Sequence, residues 1–111
     1  MARLIHLSEY RSASPSVRFE RSELNQLLTL YAERVAGGDW RDYAINLEAD
    51  GVVFSVYRHT LDRPLLTIAK WARGPRRGNW VISAAGRELV QTPNLPEALR
   101  ALARHLHPVP S

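Results

Sequence analysis

The stretch Tyr43-Ala44-Ile45-Asn46-Leu47-Glu48-Ala49-Asp50-Gly51-Val52-Val53-Phe54-Ser55-Val56-Tyr57-Arg58-His59 decides the fold. Two strand-like runs, Tyr43 to Ala49 and Val52 to His59, flank Asp50-Gly51, the dipeptide favoured in type I′ hairpin turns. A two-residue loop there predicts that Leu47 faces Phe54, Ile45 faces Val56 and Tyr43 faces Arg58. On the other side Asn46 meets Ser55 and Ala44 meets Tyr57. Apolar side chains thus meet on one face, as a half-buried antiparallel pair requires.

Toward the C-terminus, a polar loop (Thr60 to Pro64) leads into Leu65 to Trp71, with Leu66 and Ile68 on one face. Gly74-Pro75-Arg76-Arg77-Gly78 has loop composition. Trp80 to Ala84 and Arg87 to Thr92 predict a second hairpin about Ala85-Gly86, with Ile82 opposite Leu89. Pro93 ends it. Asn94 then caps a helix with Glu97 in the capping-box position, Pro96 in the first turn, and Leu95, Ala98, Leu99, Leu102 and Leu106 as its buried stripe.

Toward the N-terminus, Leu24, Leu27, Leu28, Tyr31 and Val35 recur at helical spacing after Ser22, the expected N-cap, and Gly37-Gly38 stop that helix. Val17-Arg18-Phe19 reads as a short extended piece. Residues 1–16 read as a flexible arm and 107–111 as a tail, leaving 17–106 as one α+β domain. The expected architecture is two-layered: an antiparallel meander of about five strands, with an N-terminal and a C-terminal helix on one face and the other face wet.

A chain of 111 residues, 45% of them hydrophobic and 23% charged, fits a single domain with one core. It has no cysteine, which excludes disulfide frameworks, thiolate metal sites and cysteine nucleophiles. Leu4, Ile5 and Leu7 are too short an apolar run for a signal peptide or membrane helix, so a soluble, cytoplasmic protein is expected, with no membrane partner. The net charge of +4 is unevenly spread. Residues 22–50 carry six carboxylates against two Arg, and residues 51–111 carry nine basic groups against three acidic. Such a split suits a polyanion partner or a second copy bound head to tail.

Gly38-Asp39-Trp40-Arg41-Asp42-Tyr43-Ala44, together with Val53-Phe54-Ser55-Val56-Tyr57-Arg58 and Pro64-Leu65, resembles a family of small alphaproteobacterial proteins grouped as a domain of unknown function. The resemblance runs over about 17–106 and implies a single domain in a bacterial cytoplasm. It brings no activity, cofactor or catalytic residue. Where members of that family carry an acidic residue before the third-strand lysine, this chain has Ala69 before Lys70.

The chemistry-bearing residues fall into three groups. Asp39, Trp40, Arg41 and Asp42 read as a structured turn, because two carboxylates without a third ligand seldom hold a metal. His59 beside Asp62 and the pair His105 and His107 lack the partners that catalysis or zinc would need. No phosphate-loop, dinucleotide or nucleophile-elbow motif occurs, so no catalytic residue, metal or cofactor is expected and the chain leans away from an enzyme. Lys70, Trp71, Arg73, Arg76, Arg77 and Arg87 form the one dense basic group, and strand parity puts Trp71 and Tyr57 on the open sheet face. Two functions follow as expectations. One is a binding module using that face for a protein partner or self-association. The other is nucleic-acid or polyanion binding through the segment from Lys70 to Arg77.

Overall fold

Phe54, Ile68 and Ile82 stand side by side on three neighbouring strands, fully shielded from solvent, and the molecule is organised around them. The computed structural model describes residues 17–59 and 63–106. The expected arm (1–16) and tail (107–111), with His6 and His107, lie outside the described residues, as does Asp62, the expected partner of His59.

The element order is α1 (Arg21–Ala36), β1 (Asp42–Leu47), β2 (Gly51–Tyr57), β3 (Leu66–Trp71), β4 (Trp80–Ala84), β5 (Arg87–Thr92) and α2 (Leu95–His105). The strands pair antiparallel in the order β1-β2-β3-β4-β5, a meander, and the fold is α+β. Both helices contribute to one core: Leu27 from α1, and Leu95, Ala98 and Leu102 from α2, join Phe54, Val56, Leu66, Ile68, Trp80 and Ile82. Phe19 seals its margin, stacked on Trp80 at 5.8 Å and edge-on to Phe54. Among the described residues no helix is long and apolar enough to cross a membrane.

Helix α2 matches expectation. The Asn94 side chain accepts a hydrogen bond from the Glu97 amide at 2.9 Å, one of the donors that a helix start leaves unpaired. Helix α1 begins earlier than expected, with Glu20 rather than Ser22 as N-cap, because the Glu23 carboxylate accepts the Glu20 amide at 2.7 Å. Its end is a Schellman motif. The Gly38 amide donates to the Val35 carbonyl and the Asp39 amide to the Arg34 carbonyl, with Gly38 left-handed at φ +83°. The buried stripe is rotated: Val35 is 40% exposed, and Arg34 lies inward at 7%. Arg34 tolerates that position because Asp39 meets its guanidinium at 3.1 Å.

The first hairpin differs in register. Leu47 pairs with Val52, Ile45 with Phe54 and Tyr43 with Val56, so the loop is Ala49-Asp50 and not Asp50-Gly51. The shift is two residues, an even number, and every side chain keeps its expected face. Gly51 serves a different purpose from the one assumed. It is not among the left-handed residues. A Cβ there would lie 2.3 Å from the Lys70 carbonyl oxygen and 2.6 Å from the Trp71 ring. The Asp50 carbonyl, in turn, accepts the amides of Ala72 and Arg73 at 2.9 and 3.1 Å. Docking onto the end of β3 sets the turn.

The second hairpin does turn at Ala85-Gly86, both left-handed at φ +52° and +77°. A bulge beside Ser83 moves Val90, not Leu89, opposite Ile82. Leu89 is the extra residue, and both it and Val90 pack against the core. The face away from the helices is also drier than alternation predicts. Ser55, Ala69 and Val81 lie on it and are buried, so β2 is screened on both sides.

Candidate functional site: two ends of one sheet

Register divides the expected binding surface into two. Trp71 pairs with Gly51 at one end of the sheet, whereas Tyr57 closes β2 at the other, six residues and about 20 Å along the strand. Both rings are half-buried and both belong to the face away from the helices. They share a face without forming one patch.

Trp71, Arg73, Arg76 and Arg77 gather at the first end. The Arg73 guanidinium donates to the Ala49 carbonyl at 3.2 Å. Arg76 reaches back to Glu88, in an ion pair, and to the Gln91 side-chain carbonyl at 3.2 Å. Arg77 is exposed, and its amide closes the loop onto the Gly74 carbonyl. Lys70 leaves this group altogether. It pairs with Trp80 on the helix side, donates to the Glu23 carboxylate at 2.7 Å and to the Arg18 carbonyl at 2.9 Å, and so straps α1 to β3. Arg87 stands beside the Ala85-Gly86 turn, at the Tyr57 end.

The segment Asp39-Trp40-Arg41-Asp42 is a junction between α1 and β1. Trp40 is buried in the core, which removes it from any open-face patch. Asp39 holds Arg34, and the Arg41 side chain is exposed. The Arg41 amide donates to the Tyr57 carbonyl at 2.9 Å, and the Arg41 carbonyl accepts the Tyr31 hydroxyl at 2.7 Å. Burial raises the Tyr31 pKa above its usual 10.0, and nearby Asp42 and Tyr43 push the same way. Tyr31 also meets Tyr43 edge-on at 4.8 Å, and Tyr43 stacks on Phe54 at 5.1 Å. Among the described residues no three His, Asp or Glu are grouped to hold a metal ion.

A basic cleft at the Tyr57 end has no counterpart among the sequence expectations. Arg58, His59, Arg63, Leu65, Thr67 and Ser83 line an open cavity of about 620 Å³, closed on one side by the Ala85-Gly86 turn. A smaller cavity of about 240 Å³ continues from it, sharing Arg58 and Leu65 and reaching Trp40, Leu102 and His105. The cations are spread over residues 58 to 63, so they form no conspicuous run. The available signal was topological: in a meander, the β2–β3 connection and the β4–β5 turn must emerge at the same end of the sheet.

The sequence model of one family, described as Protein of unknown function (DUF2794), matches residues 17–99, which is most of the span over which the resemblance runs. No curated protein and no solved structure matches the chain.

Proposed function

The chain belongs to the DUF2794 family of unknown function, and on that premise we propose that it is a small non-enzymatic binding module. Its partner is most simply a second copy, docked through the sheet face turned away from the helices. The setting we take from the resemblance is an alphaproteobacterial cytoplasm. One observation carries the reading. Strand β2 is apolar and screened on both faces, although both helices pack on only one of them. Sheets whose strands are apolar on both sides are ordinarily covered on both sides. The second face presents Val53, Ala69 and Val81 in one row, an unusual choice for a surface meant to stay wet. At the end of that row the buried Asn46 Oδ1 accepts no hydrogen bond, a lapse that native structures usually repair with a partner.

Sedimentation velocity over a concentration series tests this. A dimer is expected, with Val53→Glu monomeric and Val53→Thr, which keeps strand propensity and shape, still dimeric. A wild-type chain that stays monomeric at its highest soluble concentration would falsify self-association. The polyanion alternative draws on Trp71 and the exposed Arg77, but Lys70 and Arg76 are already engaged by carboxylates. It gains the advantage if a fluorescent single strand binds with steep salt dependence and Arg76→Ala with Arg77→Ala removes that binding.

A further inference from the structure

We propose that the cleft lined by Arg58, Arg63, Leu65, Thr67 and Ser83 beside the β4–β5 turn binds a small organic anion, a phosphate or carboxylate head on a compact apolar body. The site lies at the end of the sheet and does not depend on self-association.

The charges come first. Arg58, His59 and Arg63 all line this cavity, and among the described residues no carboxylate does. Among the described residues, neither Arg58 nor Arg63 takes part in an ion pair, whereas Arg34, Lys70 and Arg76 are each matched to an acid. Other arginines, such as Arg41 and Arg77, are also outside these ion pairs and exposed, but Arg58 and Arg63 line a concavity. A guanidinium presents a planar fork of donors that matches carboxylate and phosphate oxygens, which makes arginine the usual residue for holding either head. Among the described residues, the acid that lines the smaller cavity, Asp39, is already held by Arg34.

The remaining lining specifies the rest of the ligand. Thr67 and Ser83 are cross-strand partners on β3 and β4, so their hydroxyls stand together on the cleft floor, able to donate to an oxygen that the arginines leave open. Pro64, Leu65 and Ala85 supply apolar wall, and Leu65 is 37% exposed, a large side chain left without cover. A cavity of about 620 Å³ falls in the range of roughly 300–1,000 Å³ typical of small-molecule sites. Apolar walls with a few convergent polar groups are the usual composition of such sites, and the positive rim selects the sign of the ligand.

Amide NMR titration of the full chain is the test, using phenyl phosphate, benzoate, inorganic phosphate and benzyl alcohol as probes. At least one of phenyl phosphate and benzoate should give saturable shifts confined to residues 58–67 and 83–87, and the two together report which head is preferred. Arg58→Gln with Arg63→Gln should weaken that binding by roughly tenfold or more, since a charge-assisted hydrogen bond is worth about one decade of affinity. Both arginines are exposed, so unchanged amide dispersion elsewhere will show that the variant folds. Leu65→Ser should weaken phenyl phosphate and leave inorganic phosphate unaffected. The proposal fails if no organic anion saturates, if the shifts map to residues 71–78, or if the double variant binds as the parent does. It fails equally if inorganic phosphate or benzyl alcohol binds as tightly as the organic anions.

Discussion

Gly51 opens β2 against the Lys70 carbonyl oxygen and the Trp71 ring, where a Cβ would have no room. Its position after Asp50 suggests a left-handed turn residue, yet its role is to let β3 pass close to β2 beneath the Trp71 ring. The distinction has a measurable consequence. At a left-handed position alanine would cost about 1 kcal/mol, whereas here a methyl must displace both a backbone carbonyl and an indole. Gly51→Ala is expected to destabilise by about 2–3 kcal/mol in urea unfolding and to shift the Trp71 emission. A loss of a few tenths would show that the β2–β3 contact yields easily. Arg34 and Val35 teach a related lesson. Periodicity assigns Val35 to the core, but Asp39 draws Arg34 inward, and only the folded-back chain after Gly38 brings that carboxylate within reach.

Among the elements, the second hairpin carries a local conflict. Ala85 is left-handed at φ +52°, a region where an alanine is strained by roughly 1 kcal/mol and asparagine or glycine is at ease. Ala85→Asn is therefore expected to raise stability by about 0.5–1 kcal/mol without changing the register, as read from the urea midpoint and from cross-strand contacts between Ser83 and Glu88. No gain would mean that the turn is held by other contacts. The helices were legible down to single residues where their signals are local, as in the Asn94 cap and the Gly38 terminus. The first hairpin was legible in its faces and not in its pairing, whereas the bulge in the second changed both for the end of β5. Apolar alternation distinguishes the two sides of a strand, but a slip of two residues leaves every side chain on the same side. What chooses between such registers is contact with a third strand or a bulge, and neither is local.

Across the whole molecule, α1 is tied to the sheet at both its ends. Lys70 reaches Glu23 near the start, and the Tyr31 hydroxyl donates to the Arg41 carbonyl past the far end. The second tie is sensitive to alkali. Because the folded state holds the Tyr31 proton more tightly than the unfolded chain does, the stability it confers is complete below about pH 10 and declines as pH rises through the folded pKa. Urea midpoints at pH 8 and at increasing pH above 10 should show the parent losing stability faster than Tyr31→Phe, which starts lower by about 1 kcal/mol for the missing hydrogen bond. Parallel declines would place the alkaline sensitivity elsewhere. At this scale the split of charge along the chain also changes meaning, since Glu23 from the acidic half and Lys70 from the basic half neutralise one another inside the fold. The basic segment from Lys70 to Arg77 consequently offers less positive surface than its sequence suggests, while Arg58 and Arg63, between β2 and β3, both line a cavity.

By itself, the sequence determined the α+β class, the seven elements and their order, the inward face of the first four strands and the cap of the last helix. These depend on periods of two and 3.6 residues and on side chains that bond to their own neighbours. Only the tertiary structure decided the hairpin registers, the inward turn of Arg34, the burial of Trp40, the separation of Tyr57 from Trp71 and the cleft around Arg58 and Arg63. Each of those depends on which distant groups meet, and a charge or a ring is committed or left available only once its neighbours across the sheet are in place.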